Sequence, residues 1–214
     1  MLFDMETLSE QDGYKLLVST VVPRPIAWVS TRDLDGSINA APFSFFNAVS
    51  GNPPIICFGI GGRAPGDAKD TGNIIRRTGE FVVNLVNNET AEAMNVSAIE
   101  FGPEIDEFRE ARLTAIPSHK VKAPRIAESP VSMECERLVI VEVGVDRAVV
   151  LGKVVAIHVA DEYVLDKDRC YIDTPKLDLI GRMHGRGWYA RTTDRFDLPR
   201  IDVADWPQRA NAAE

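Results

Sequence analysis

Two stretches of this chain carry side chains suited to holding a small ligand. The first runs from Trp28-Val29-Ser30-Thr31 to Asn39-Ala40-Ala41-Pro42-Phe43-Ser44-Phe45-Phe46-Asn47. A plain core strand would carry Val and Ile here, whereas this one carries small residues, hydroxyls and amides. Small side chains let backbone N–H and C=O groups come close to a flat ligand. Ser30, Thr31, Asn39, Ser44 and Asn47 have the donors and acceptors for its polar edge, and Phe45 or Phe46 has a ring to lay on its face. The same composition also suits a distorted edge strand with its polar residues in water. In either case Pro42, which cannot donate to a ladder, marks an edge, a bend or a bulge.

The second stretch, Arg63 to Arg77, holds Arg63, Lys69, Arg76 and Arg77 against Asp67 and Asp70. Lys69-Asp70-Thr71-Gly72-Asn73 reads as a helix entry, where free N–H groups and the helix dipole favour an anion. A lysine before that entry, a threonine hydroxyl inside it and an arginine nearby suit a phosphate monoester. Asp70 would repel phosphate and is better read as a cap, or as an acceptor for an arginine or for ligand hydroxyls. An ordinary capped surface helix with solvated charges is the competing reading.

Other chemistries find little support. Gly59-Ile60-Gly61-Gly62-Arg63-Ala64 fits a loose dinucleotide-binding pattern. That motif needs a helix to start at once, and Pro65-Gly66-Asp67 reads as a turn instead. His119, His158 and His184 are far apart and form no zinc or nucleophile signature. His158 reads as a structural or partner-facing residue. His184 sits in Arg182-Met183-His184-Gly185-Arg186-Gly187-Trp188-Tyr189, a basic segment suited to covering a ligand or meeting a phosphate, and equally to an ordinary surface loop. Cys57, Cys135 and Cys170 are an odd, widely spaced set that implies reduced, mostly buried thiols.

These residues must be positioned mainly by strands. Val131 to Val145 alternates, with Val131, Met133, Cys135, Val139, Val141, Val143 and Val145 on one face and Ser132, Glu134, Glu136 and Glu142 on the other. After a break at Asp146-Arg147, Val149, Leu151, Val155, Ile157 and Val159 share a second apolar face, which predicts an antiparallel hairpin. Ile26–Thr31 and Ser37–Phe46 flank a turn ending in Asp35-Gly36. Further strands are expected at Ile55–Phe58 and Phe81–Val86. Short helices are expected from Asp70 or Thr71 to Arg77, around Ala91–Ala98, near Asp106–Arg112, and over Leu177–Met183. Strands without regular β-then-α alternation predict a mainly β fold, an antiparallel barrel with peripheral helices. One domain over residues 1–204 is expected, with residues 205–214 a loosely held tail.

Composition limits the partners. The chain has 214 residues, with 24 Lys plus Arg against 32 Asp plus Glu, a formal charge of −8. Such a chain is repelled by nucleic-acid backbones and anionic membranes, so neither is an expected partner. Met1-Leu2-Phe3-Asp4-Met5-Glu6 lacks the basic and apolar regions of a secretory signal, and no apolar run is long enough to span a bilayer. A cytoplasmic location is the expectation.

The motifs together resemble those of the flavin reductase-like family. They are Arg24-Pro25-Ile26-Ala27-Trp28-Val29-Ser30-Thr31, Asp35-Gly36, Asn39-Ala40-Ala41-Pro42-Phe43-Ser44-Phe45-Phe46, Lys69-Asp70-Thr71 and Gly187-Trp188-Tyr189-Ala190-Arg191-Thr192, and the likeness spans roughly residues 14–200. The resemblance implies a Greek-key split β-barrel and a homodimer with FMN held near the subunit interface. It implies that Trp28, Val29, Ser30, Thr31, Asn39, Ala41, Ser44, Phe45, Phe46 and Asn47 line the flavin. Arg63, Lys69 and Thr71 would serve its phosphate, Asp70 would act beside them as a cap or as an acceptor for ribityl hydroxyls, and His184 would belong to a covering segment. NADH or NADPH would be the electron donor, and free flavin or a partner oxygenase the destination. No catalytic side chain and no metal are implied. A flavin carrier without nicotinamide turnover, and a structural barrel whose acidic surface serves a partner, stand as alternatives.

Overall fold

A computed structural model describes residues 1–61, 70–102, 105–185 and 187–203. The expected site residues Arg63 and Lys69 and the expected tail at 205–214 lie outside the described residues. The chain opens with helix α1 (Glu10–Thr20), capped by Ser9 Oγ, which accepts from Asp12 N at 3.1 Å. The sequence reading did not anticipate this helix. Strands β1 (Arg24–Pro25), β2 (Ala27–Arg32), β3 (Ile38–Phe43), β4 (Phe46–Gly51) and β5 (Pro54–Ile60) follow, then α2 (Asp70–Thr78) and β6 (Glu80–Leu85). Helices α3 (Ala91–Val96) and α4 (Glu107–Glu110) and short strands β7 (Ala115–Ile116) and β8 (Arg125–Ile126) lead to the long hairpin of β9 (Val131–Gly144) and β10 (Arg147–Val159). Strands β11 (Val164–Asp166), β12 (Tyr171–Ile172), β13 (Ile180–Arg182) and β14 (Tyr189–Arg191) complete the order.

Seven strands form one antiparallel sheet in the order β3-β2-β6-β9-β10-β5-β4. Its two terminal strands, β3 and β4, are consecutive in the chain and separated only by Ser44 and Phe45. The sheet must therefore curl until its edges approach. The strand expected over Ser37–Phe46 is thus two strands meeting at a corner, and Pro42 lies on the terminal strand β3, opposite Trp28. Phe45 O accepts from Gly59 N at 2.8 Å, which ties the corner to β5. The β2–β3 turn forms as expected, with Gly36 at φ 92°, a conformation that glycine adopts without steric cost.

The inner face of the curled sheet holds the main core: Ala27, Val29, Phe43, Phe58, Phe81, Val83, Cys135, Val150 and neighbours, closed on one side by Ile75 of α2. Three rings dominate it, with Phe43–Phe58 centroids at 5.2 Å and Phe58–Phe81 at 5.4 Å, within the favourable range for aromatic pairs. Their bulk explains a correction to the β10 reading. The expected apolar face (Val149, Leu151, Val155, Ile157, Val159) points outward, and the core side is Ala148, Val150, Gly152 and Val154. A Cβ on Gly152 would lie 2.4 Å from Phe81 Cζ, so only small groups fit there.

The long strand β9 departs from expectation in a similar way. Val131, Met133 and Cys135 turn toward the interior, but Val139, Val141 and Val143 are exposed. Strand β6 pairs with β9 only as far as Glu136, so beyond that point β9 outruns the sheet that would cover it. Conversely Ser132 and Glu134, on the face expected to look to water or a partner, are buried. Ser132 Oγ donates to Asn84 Oδ1 at 2.8 Å, and the segment 117–124 supplies the partners of Glu134. Glu134 accepts from His119 N (2.7 Å), Lys120 N (2.5 Å) and Val121 N (3.1 Å), and His158 Nε2 lies 2.5 Å from its Oε1. Burial alone would raise this carboxyl. The hydrogen bonds from His119 N, Lys120 N, His158 and Val121 N outweigh it and hold the group down, at about 2.

A second core packs on the outer face, with Ile26, Trp28, Val86, Met94, Phe108, Ile126 and Ile180 under α3 and α4. Residues Leu177–Met183, expected as helix, instead include β13, which pairs with β1 and β14. Helix α2 and the short helices at 91–96 and 107–110 match the reading. No helix among the described residues is long and apolar enough to cross a membrane.

Candidate functional site

The period of two along β2 and β3 sorts the candidate residues onto opposite sides of the sheet. Direct pairing of Ala27 with Phe43, Val29 with Ala41 and Thr31 with Asn39 puts these six on the inner face. Trp28 and Ser30 point the other way. Trp28 is fully buried in the outer core, where its Nε1 donates to Ser97 Oγ at 2.8 Å. Ser30 Oγ donates to Pro124 O at 2.5 Å and accepts from Asn84 Nδ2 at 3.0 Å. The side chains of Trp28 and Ser30 are therefore structural, contrary to the sequence reading. Val29 is buried in the inner core and can offer a ligand only its backbone.

The inner face keeps the rest of the first cluster together and joins it to the second. Asn39 Oδ1 accepts from Thr71 Oγ1 at 2.8 Å, which brings β3 to the first turn of α2. On the other side, Asn39 Nδ2 donates to Glu107 Oε1 at 3.2 Å. Beside Asn39 in the ladder, the Thr31 hydroxyl is buried and has no hydrogen-bond partner among the described residues. An unsatisfied buried hydroxyl is costly, and it stands next to two polar groups whose remaining valences are also constrained. Ala41, on the same face, adds no bulk. This surface suits a ligand bringing its own polar edge.

Glu107 was not anticipated. It is the first residue of α4, whose cap Asp106 accepts from Phe108 N at 2.9 Å. Nothing in the spacing of Asp106-Glu107-Phe108 distinguishes a buried carboxylate from a solvated one. In the structure Glu107 is buried, and its carboxyl is raised above the ordinary range, first by burial, with Asp70 and Asp106 adding to the effect. It lines a cavity of about 210 Å³ with Asp33, Asp35, Asn39, Asp70 and Arg77. Carboxylates prevail there, and Arg77 is already paired with Asp33. That cavity is not an anion site.

The Ser44–Asn47 corner lies at the opposite end of β3. Phe46 packs against the inner core, while Phe45 is 43% exposed. Phe45 is braced rather than free: Tyr14 of α1 packs at 6.4 Å between centroids, and the Arg24 guanidinium lies 5.9 Å from its ring. Arg24 is itself buried and held by Val18 O (2.7 Å), Val21 O (2.8 Å) and Met183 O (2.7 Å). The sequence motif contained Arg24, but only the structure shows that it fixes this corner. Asn47 is exposed, its Oδ1 accepting from Ala48 N at 2.8 Å. His184 lies against Trp188 in the β13–β14 hairpin, the ring centroids 4.5 Å apart and the planes tilted by 52°. Among the described residues no group of His, Cys, Asp and Glu is arranged to hold a metal ion.

Comparison with known proteins bears on this arrangement. The family model "Flavin reductase like domain" matches residues 18–174. A protein of Deinococcus radiodurans is 40% identical over 216 residues, covering 99% of this chain and 95% of its own. Nitrilotriacetate monooxygenase component B from Bacillus cereus superposes with a TM-score of 0.86 at 32% identity, covering 92% of this chain and 98% of that one. The 2-nitrobenzoate 2-nitroreductase of Pseudomonas fluorescens gives a TM-score of 0.86 at 30% identity, covering 95% and 98%. The fold is the mainly β, antiparallel split barrel with peripheral helices that the sequence led us to expect.

Proposed function

The chain belongs to the flavin reductase like domain family, and on that premise we propose that it is an FMN-binding oxidoreductase that draws reducing equivalents from NADH or NADPH. Free flavin or a further acceptor would receive them. The observation that carries this reading is the meeting of Thr31, Asn39 and Thr71 on one inner surface, with the Thr31 hydroxyl left for a partner that the described residues do not supply. FMN, when bound, accepts a hydride equivalent from the nicotinamide and passes electrons on.

The residues of the chain then have the tasks of binding and orienting. Thr31 and Asn39 meet the polar edge of the ring system, and Ala41 leaves room for its plane. The backbone N–H groups of the Ser44–Phe45 corner would stabilise negative charge on the reduced ring. Phe45, braced by Tyr14 and Arg24, offers an apolar face, with Phe46 and Asn47 beside it. Lys69 and Arg63 attract the phosphate, and the leading N–H groups of α2 complete that end. The His184–Trp188 hairpin is assigned to covering the site or to meeting the nicotinamide phosphate.

A homodimer is part of this reading. The exposed Val139, Val141 and Val143 on β9 form an apolar strip that a second copy would cover. The component-B name of the Bacillus cereus protein makes an oxygenase a candidate electron acceptor here as well. Anaerobic addition of NADH or NADPH to the FMN-loaded protein tests the central step. Bleaching of the flavin band, with turnover when free flavin is added, is expected. Loaded protein that neither nicotinamide bleaches would be a carrier and not a reductase.

A further inference from the structure

The hydrogen bonds around Asn39 have a direction, and that direction has a source. A side-chain amide has two nearly isosteric ends, so its orientation is set by its neighbours. The Glu107 carboxyl presents Oε1 as an acceptor to the Nδ2 end at 3.2 Å. The Oδ1 end is thereby turned to α2, where it takes the Thr71 hydroxyl proton at 2.8 Å. The three residues come from α4, β3 and α2, and all three are buried.

We propose that Glu107 is a positioning residue of the flavin site, which orients the Asn39 amide so that it captures Thr71 and holds the first turn of α2 against β3. The proposal rests on the flavin reading given above. It also revises the part played by Thr71. A hydroxyl whose proton is committed to Asn39 has none to give a phosphate, whose oxygens accept. Thr71 therefore serves the phosphate end indirectly, by fixing the helix whose leading N–H groups face it. The same logic separates position from charge. With Asp70 close by, the negative charge of Glu107 does nothing to attract a phosphate. What matters is an acceptor at Oε1, and glutamine preserves one.

The test compares wild type, Glu107→Ala, Glu107→Gln, Thr71→Val and the Glu107→Ala/Thr71→Val double variant. Each is titrated with FMN and with riboflavin, following flavin fluorescence, and the apo proteins are followed by amide hydrogen exchange over residues 70–78. Glu107→Ala and Thr71→Val are each expected to weaken FMN by about tenfold, roughly 1.4 kcal/mol, and riboflavin by much less. Glu107→Gln is expected to retain wild-type affinity for both. The double variant is expected to be no worse than either single one, because both break one chain of contacts. Exchange over residues 70–78 should accelerate in Glu107→Ala and not in Glu107→Gln. A Glu107→Ala protein with unchanged exchange there, or with FMN and riboflavin weakened equally, would overturn the proposal. So would a glutamine variant no better than alanine. Wild-type protein that binds neither flavin would instead overturn the flavin reading, while the exchange data on apo protein would still decide whether Glu107 holds α2.

Discussion

Replacing Glu134 by glutamine should cost more stability than any comparable surface substitution, and the cost should depend on pH. The carboxylate takes hydrogen bonds from three successive backbone N–H groups, of His119, Lys120 and Val121, and from His158. Its value falls from an ordinary 4.5 to about 2 in the folded chain. A carboxyl depressed on folding contributes stability above its unfolded value and loses it as pH falls toward the folded one. The shift corresponds to about 3 kcal/mol at neutral pH, of which roughly half is gone by pH 3. Glutamine would also turn an amide N–H₂ toward groups that are already donors. Urea unfolding of wild type and Glu134→Gln at pH 7 and at pH 3 measures this. The expected gap is about 3 kcal/mol at pH 7, narrowing clearly at pH 3. A gap below about 1 kcal/mol at pH 7, the size of a single neutral hydrogen bond, would refute the claim that this carboxylate anchors the 117–124 segment. A gap independent of pH would refute the assignment of the effect to its charge.

Gly152→Ala should destabilise by roughly 1–3 kcal/mol, because the new Cβ meets Phe81 Cζ at 2.4 Å; an unchanged thermal midpoint would show that the Phe81 ring has room to move. Ser30→Ala should lose about 1–3 kcal/mol through the buried acceptor left at Pro124 O and the buried donor left at Asn84 Nδ2, with FMN affinity preserved; a selective loss of FMN binding would return Ser30 to the site. Thiol labelling of native protein should modify the exposed Cys170 first and spare Cys135, whose thiol burial pushes up to about 12; early modification of Cys135 would contradict the packing of the inner core. Lys69→Ala should weaken FMN by roughly 1.5–3 kcal/mol, as for a hydrogen bond to a charged group, and riboflavin much less; equal losses would move the phosphate elsewhere.

How far the residues alone disclosed this molecule depended on whether the controlling contact was local. The Asp35-Gly36 turn, the edge position of Pro42, the β9–β10 hairpin and the presence of a short helix at α2 follow from short-range rules and were read correctly. The facing of β10 was read backwards, because Leu151 and Ile157 are the larger apolar groups and their inward places are already filled by Phe58 and Phe81, distant in sequence. Glu134 carried no local sign of burial because nothing near it announces that residues 119–121 will cover it with backbone donors, and nothing near Ser132 announces its partner Asn84. In the candidate site the same limit divides Ser30 from Thr31. Both are hydroxyl residues in one motif, and only the pairing with β3 shows that Thr31 faces inward beside Asn39 while Ser30 serves the outer layer. Glu107 escaped notice altogether, because a lone glutamate at the start of a short helix carries no local mark of burial.

The central claim is that the inner surface shared by Thr31, Asn39 and the entry of α2 receives FMN. Titration of the apo protein with FMN, followed by the flavin absorption spectrum, tests it most directly. The account predicts a saturable spectral change reaching one FMN per chain, with the Thr31→Val variant binding measurably more weakly than wild type. Absence of any spectral change, or full FMN affinity in Thr31→Val, would contradict it.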